Sequence, residues 1–385
     1  MKDTFFALVR SAVLGDRLDG LDKTELTESD LRELYALADK HDLAHLVGHA
    51  LFRSGRIGPG SPWYLPFQKV QLKAVYRYEQ SRHELLKICE ALEAAQISHV
   101  PLKGAVVRDY YPEPWLRTSC DLDVLVHEAD LDRAVQVLTE CGWTVKGKKG
   151  FHDISLHSAG GAHLELHYNI KEGRESIDRL LEKVWEYADP TEGYRYEYRQ
   201  RNEYLMFHLL AHMSYHFISG GCGVRSFMDI WILRSTLSYD EAKLQKLCAE
   251  SKLAVFYEAV QELIDVWFGG GEHTVLTRQL DDYVLGGGVY GSMANRVTMD
   301  QAQTGSKMKN LLKRIFMPYE QLKTLYPVLK RNRWLCPVFE VVRWIQILAS
   351  GRGGHAMHEL KLNQKASVQQ VQETDALLQS LGLKI

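Results

Sequence analysis

An α+β fold, with a small α/β unit set between two helical segments, is predicted by three features of the sequence. Residues 1 to about 97 carry apolar side chains at helical spacing, the pattern changes at His99 to short strands separated by glycine turns, and from Asn202 the chain is helical again. With 385 residues, the chain exceeds the roughly 250–300 at which a single core stops growing, so two or three domains are expected. The segments divide as 1–97 (helical), 98–190 (the α/β unit) and 191–385 (helical).

In the first segment, "LTESDLRELYALADKHDLAHLVGHALFRSG" places Leu34, Leu37, Ala38, Leu43, Leu46, Val47 and Leu51 on helical faces, and Thr27 with Asp30 fits a capping box. "GRIGPGSPWYLP" then supplies the Gly and Pro of a break, and a long amphipathic helix is expected from about Val70 to Ala95. In the second segment, "SHVPLKGAVVRDYY" reads as a short strand that meets a glycine and turns into a short helix. "CDLDVLV" reads as a strand, and "HEADLDRAVQVLTECG" as a helix stopped by Gly142. "WTVKG" follows as a strand, and "DISLH" and "HLELHYNI" form a hairpin around the glycine turn "SAGGA". The third segment is helical with Gly-rich interruptions at "SGGCG", "FGGGEH", "LGGGVYGS" and "GRGGH".

The formal net charge of −2 gives no general attraction for nucleic acid or anionic membrane, so such a partner would need a local patch. Lys307 to Arg352 is locally basic, with ten Lys or Arg against Glu320 and Glu340, interleaved with Phe316, Tyr319, Tyr326 and Trp334. A solvated helical face is the expected reading, and binding of RNA or an anionic surface is the alternative. The cysteines at 89, 120, 141, 222, 248 and 336 show neither CxxC spacing nor the framework of a small secreted domain, which predicts reduced thiols in the cytoplasm. No stretch reaches the roughly 18 uninterrupted apolar residues of a spanning helix, and the N-terminal apolar stretch makes a poor signal peptide.

The chemistry concentrates at "CDLDVLV". Side chains alternate along a strand, so Asp121 and Asp123 share one face while Leu122, Val124 and Val126 turn to a core. Two like charges on one sheet face repel unless a cation lies between them, and a hard divalent ion with oxygen ligands suits the position. Glu165, which shares its face with His163 and His167, offers a third carboxylate if its strand pairs beside the Asp strand. Three acids on adjacent strands with the Lys103-Gly104 turn nearby form a candidate two-metal phosphoryl-transfer site.

The ordered set "PLKGAVVRDYY … WLRTSCDLDVLV … HLELH" resembles the nucleotidyltransferases of the DNA polymerase beta superfamily. It is closer still to a branch of bacterial "nucleotidyltransferase family proteins". "LYALADKHDLAHLVGHAL", "HLLAHMSYHF", "VRSFMDIWIL" and "IFMPYEQLKTLYP" extend the likeness to about 300 residues. The resemblance implies a minimal polymerase-beta-like α/β unit with a mixed sheet. Its activity would be transfer of a nucleoside monophosphate from a nucleoside triphosphate (NTP) to an acceptor, with Mg²⁺ or Mn²⁺ as cofactor. It makes Asp121 and Asp123 the metal-binding pair and Glu165 the third acid, which orients or deprotonates the attacking group. Lys103 and Gly104 would be the triphosphate-cradling turn, with Arg117 and Ser119 holding phosphate oxygens. The usual Gly-Gly or Gly-Ser is Gly104-Ala105 here, which removes a hydroxyl contact. Neighbouring acids are expected to raise the Glu165 pKa when metal is absent.

Two further groups are open. His208, His212 and His216 recur every four residues on one helix face, where packing between helices or a polar wall of the nucleotide cleft is expected and shared zinc is the alternative. Arg225 and Asp229 are four apart, so either they form an intrahelical ion pair or Arg225 touches phosphate. The acceptor is not readable: a small molecule, sugar, peptide, protein hydroxyl or RNA end needs the same centre. A toxin-like enzyme acting on tRNA or protein, or a non-catalytic nucleotide-binding scaffold, are the rival functions.

Overall fold

The computed structural model describes the chain apart from residues 16–25, 148, 290, 305–314, 318, 350–361, 364–366 and 385. It divides into two compact units, one of residues 1–215 with 223–277 and one of residues 216–222 with 278–385.

The larger unit begins with four helices: α1 (Lys2–Leu14), α2 (Glu28–Lys40), α3 (Ala44–Arg53) and α4 (Tyr64–Ala94). Thr27 and Asp30 form the expected capping box, each side chain bonding the other's backbone N–H. The break before α4 is shorter than its composition suggested. Pro66 lies in the helix's first turn, where a missing N–H removes no intrahelical bond, so α4 starts at Tyr64 rather than near Val70.

The strands and helices that follow are β1 (His99–Pro101), α5 (Gly104–Val107), β2 (Leu122–Val126), α6 (Leu131–Glu140), β3 (Thr144–Val145), β4 (Asp153–His157) and β5 (His163–His167). The sheet order is β1-β2-β5-β4-β3. β2 and β5 run parallel and the other pairs antiparallel, so the sheet is mixed and the fold is α+β. One face is apolar: Leu122, Val124 and Val126 of β2 and Leu164 and Leu166 of β5 pack with Ile88 and Leu92 of α4 and Leu131, Ala134 and Leu138 of α6. Each fully buried Leu or Val contributes roughly 1.5–3 kcal/mol, which pins the strand register. A one-residue slip would turn this face outward and bury the acids.

After α7 (Glu175–Leu181), the chain forms a two-stranded sheet of β6 (Ala188–Pro190) and β7 (Tyr198–Gln200), which its mixed composition did not announce. Helices α8 (Asn202–Ile218), α9 (Val224–Thr236), α10 (Glu241–Glu250) and α11 (Ala254–Phe268) follow. The smaller unit holds helices that include Met293–Thr304, Cys336–Ala349 and Val368–Ser380. Of the basic run, Lys307, Lys309, Lys313, Arg314 and Arg352 lie outside the described residues. Arg343 is buried against Glu340 at 2.8 Å, and Arg333 lies 4.5 Å over the Tyr319 ring, so these two cations are engaged within the fold. No helix among the described residues is long and apolar enough to cross a membrane.

Candidate active site

The polar face of the sheet carries the acids. Asp123 and Glu165 stand directly opposite one another in the parallel β2–β5 register, and Asp121 immediately precedes β2. Asp123 is 5% exposed. Two cations approach it: Lys103 Nζ lies 3.3 Å and His167 Nε2 2.9 Å from Oδ1. The same Nε2 is 3.5 Å from Glu165 Oε2.

This arrangement sorts the three acids electrostatically. Burial disfavours the charged form of Asp123, yet the Lys103 ammonium and the His167 hydrogen bond outweigh it and hold the carboxyl far below its usual range. Glu165 is also lowered, first by its hydrogen bond with His167, against burial and the Asp123 charge. The expectation that neighbouring acids raise Glu165 is thereby corrected. The raised carboxyl is Asp121, through burial and the charges of Asp123 and Glu165. His167 loses proton affinity to burial but gains more from its two carboxylates, so its pKa is raised.

The turn above the acids is tight. Leu102 N–H donates to Asp123 O at 3.0 Å, and Lys103 takes φ 43° and ψ −116°, a conformation that costs a side-chain-bearing residue about 1–3 kcal/mol. Gly104 then opens α5 with no room for a methyl group, since a Cβ would collide with the Arg117 guanidinium and lie 3.1 Å from Ser119 Oγ. Ser119 in turn donates to Asp121 O at 2.6 Å. Backbone, guanidinium and hydroxyl are thus closely packed at this turn. A cavity of about 170 Å³ adjoins it, lined in part by Arg77, Ser119, Asp121 and His163.

The segment "WLRTS" that carries Ser119 is clamped from both sides. Arg117 donates to Asp229 through Nε at 3.3 Å and Nη2 at 2.9 Å, and Tyr111 Oη donates to Asp229 Oδ1 at 2.7 Å. Arg225 donates to Asp42 Oδ2 at 3.2 Å and to Thr118 O at 3.1 Å, while Thr118 Oγ1 donates to the same Asp42 oxygen at 2.7 Å. His45 Nε2 meets Leu116 O at 2.8 Å. The Arg225–Asp229 intrahelical pair is therefore replaced by two long-range pairs, because each partner finds a counter-charge elsewhere: Asp229 the buried Arg117, and Arg225 the partly exposed Asp42. Arg117, expected on phosphate, and Arg225, for which phosphate was one of two readings, are both held by carboxylates.

On α8, His208 is buried against Gln200, with its pKa far below the usual value through burial and the Lys103 charge. His212 meets Glu172 at 2.7 Å. These two histidines bond different partners, and neither belongs to a metal-competent cluster among the described residues. His167, Glu172, Asp42 and Tyr111 received no role from the sequence. His167 had a local signal, its shared strand face with Glu165. The other three act across 40 to 183 positions of chain, a separation that no local pattern records.

Residues 27–269, well over half of the chain, match the model of a family described as uncharacterised nucleotidyltransferases. The chain belongs to this nucleotidyltransferase family. The matched span runs from the N-cap of α2 to the end of α11, so it contains the whole sheet, the Lys103-Gly104 turn and both clamps. No curated protein matched the chain significantly.

The donor set fits a divalent cation. Ligand atoms of Asp123, Glu165 and His167 all lie within 4.8 Å of one another; Asp121, expected as a metal ligand, is not part of this cluster but lies near enough for the charges of Asp123 and Glu165 to raise its carboxyl. Oxygen-rich sites of this charge suit Mg²⁺ or Mn²⁺, and an imidazole in the set is better matched to Mn²⁺.

Proposed function

We propose that this protein is a Mg²⁺- or Mn²⁺-dependent nucleotidyltransferase that moves a nucleoside monophosphate from an NTP to an acceptor hydroxyl or phosphate, releasing pyrophosphate. The observation that carries the reading is the β2–β5 register, which sets Asp123 beside Glu165 under a turn closed to any side chain at Gly104. Asp121, Asp123 and Glu165 would hold the metal. When bound, it would supply Lewis acidity at the acceptor and charge against the leaving pyrophosphate.

The protein's own groups supply the rest. Lys103, already facing four acids in the site, donates from Nζ to triphosphate oxygens. The Lys103-Gly104 turn lies against the phosphates, and Ser119, whose Oγ packs beside Gly104, borders the same space. Glu165, held ionised by His167, accepts the proton of the attacking hydroxyl. Arg117 and Arg225 act as positioning residues that fix the segment carrying Ser119 and Asp121, and Arg77 at the rim of the adjoining cavity offers a cation for the substrate. All six cysteines are free, which suits the reducing cytoplasm where we assign the reaction.

Titration calorimetry with ATP, GTP, CTP and UTP, each with and without Mg²⁺, tests the proposal on the wild type and on Asp121→Asn/Asp123→Asn. Metal-dependent binding of at least one triphosphate, lost in the double variant, is expected. Folded wild-type protein that binds none of the four under either condition refutes the reading.

A further inference from the structure

A second cluster of ligating side chains lies on the edge of the sheet, away from the acids. Cys89 of α4, His99 of β1 and Glu197, just before β7, bring one ligand atom each to within 4.8 Å of one another. Cys89 and His99 are buried, with His99 fully inaccessible, and Glu197 is half-buried. Local backbone holds the three together. His99 N–H donates to Tyr196 O at 2.9 Å, and the N–H groups of Arg195 and Tyr196 donate to the Glu93 carboxylate of α4 at 2.8 and 2.9 Å.

The tautomer of His99 is the informative feature. Its Nδ1 lies 2.9 Å from Ile97 O, an acceptor only, so Nδ1 carries a proton and Nε2 is the ring nitrogen left to face a ligand. Nε2 is buried and has no hydrogen-bond partner among the described residues; the nearest acid oxygen, Glu197 Oε2, stands at 3.8 Å. A ligating histidine whose other N–H donates to a backbone carbonyl is the usual outer-shell arrangement of a zinc centre. Tetrahedral zinc, with bonds of about 2.0–2.3 Å, spaces its ligand atoms about 3.3–3.8 Å apart, which the His99–Glu197 separation already meets.

We infer that Cys89, His99 and Glu197 form a zinc site, separate from the acid site, that staples α4, β1 and the β6–β7 hairpin together. Zn²⁺ is the choice because thiolate, imidazole and carboxylate together exclude the oxygen-loving Mg²⁺. Binding forms a Zn–S bond and releases the Cys89 thiol proton to solvent. Thiolate and carboxylate then cancel the ion's two charges, so the buried centre is neutral. Water completes the fourth position. β1 runs directly into Lys103, so the staple braces the strand that aims the catalytic turn.

The test uses full-length protein carrying Asp123→Asn/Glu165→Gln, so that the acid site loses two of its carboxylates and keeps only Asp121 and His167. After chelator treatment, the protein is loaded with Zn²⁺ or Co²⁺, desalted, and assayed by elemental analysis and near-ultraviolet absorption. One zinc per chain and a thiolate-to-Co²⁺ charge-transfer band are expected. Adding Cys89→Ser should abolish the band and the bound metal, and Glu197→Gln should weaken retention. Folded protein that retains no zinc, or a band and stoichiometry unchanged by Cys89→Ser, overturns the inference. Should the serine variant fail to fold, the Co²⁺ spectrum of the otherwise wild-type chain still decides, since absence of a thiolate band there refutes the site. Triphosphate binding is not an input to this measurement, so its outcome is independent of the proposed activity.

Discussion

Removing the Asp229 carboxylate should unlock the segment that carries Ser119 of the candidate site. Asp229 is 4% exposed and accepts three hydrogen bonds, from Tyr111 at 2.7 Å and from Arg117 at 2.9 and 3.3 Å. Asp229→Ala strands a buried guanidinium, whose charge Asp229 strongly stabilises in the native state. Breaking a buried pair in this way costs about 3–5 kcal/mol, and the unpaired Tyr111 hydroxyl adds about 1 kcal/mol or more. Replacing both ends by apolar groups, as in Arg117→Met/Asp229→Leu, leaves no orphaned charge and should cost much less than the two single changes combined. Urea unfolding of the larger unit, followed by far-ultraviolet circular dichroism, supplies the cycle. Coupling above about 1 kcal/mol is expected, since pairs in one network couple by about 0.5–3 kcal/mol. A cost below about 1 kcal/mol for Asp229→Ala, or additivity within about 0.5 kcal/mol, would refute the argument and return Arg117 to the role of a phosphate ligand.

The two aspartates should respond with opposite signs in metal-free protein. Asp121→Asn is expected to stabilise by about 0.5–2 kcal/mol, because the charged form is disfavoured there, whereas Asp123→Asn should destabilise by leaving Lys103 and His167 without their shared acceptor; denaturant midpoints in chelator separate the two. Gly104→Ala should cost about 1–3 kcal/mol as an overpacked site and also weaken triphosphate binding, since Arg117 is held by Asp229 and cannot yield; unchanged calorimetric affinity would count against the cradle. For pH, His167 has a raised pKa in the fold, so its contribution to metal-free stability is fully present below 6.5 and is lost as pH rises through the raised value. Unfolding midpoints should fall across that window in the wild type and stay flat in His167→Gln, and Mg²⁺ affinity should rise over the same window as the competing proton leaves.

What the sequence disclosed and what it withheld follow from the range of the interactions involved. The α+β class, the capping box at Thr27 and the strand faces of β2 and β5 are set by alternation and capping over a few residues, and these local rules predicted them correctly. The acid pair was legible for the same reason: two charges on one face of an otherwise apolar strand conflict with local preference, and such conflicts collect at sites of chemistry. The partners of the arginines were not legible. Residues four apart on a helix predicted an Arg225–Asp229 pair worth about 0.2–0.5 kcal/mol. The fold instead joined each to a counter-charge far along the chain, Asp229 to the buried Arg117 and Arg225 to the partly exposed Asp42. The β6–β7 hairpin was missed because its strands are three residues long and hold residues, among them Asp189, Pro190 and Arg199, that read as loop. The same contrast explains the candidate site itself. Its acids are written locally, but their protonation is set by Lys103, in the turn after β1, and by His167 of β5. One register shift between β2 and β5 would keep every motif residue in the sequence and separate Asp123 from Glu165 in space. The apolar faces that pack against α4 and α6 therefore do more than stabilise the unit: by fixing that register they assemble the site.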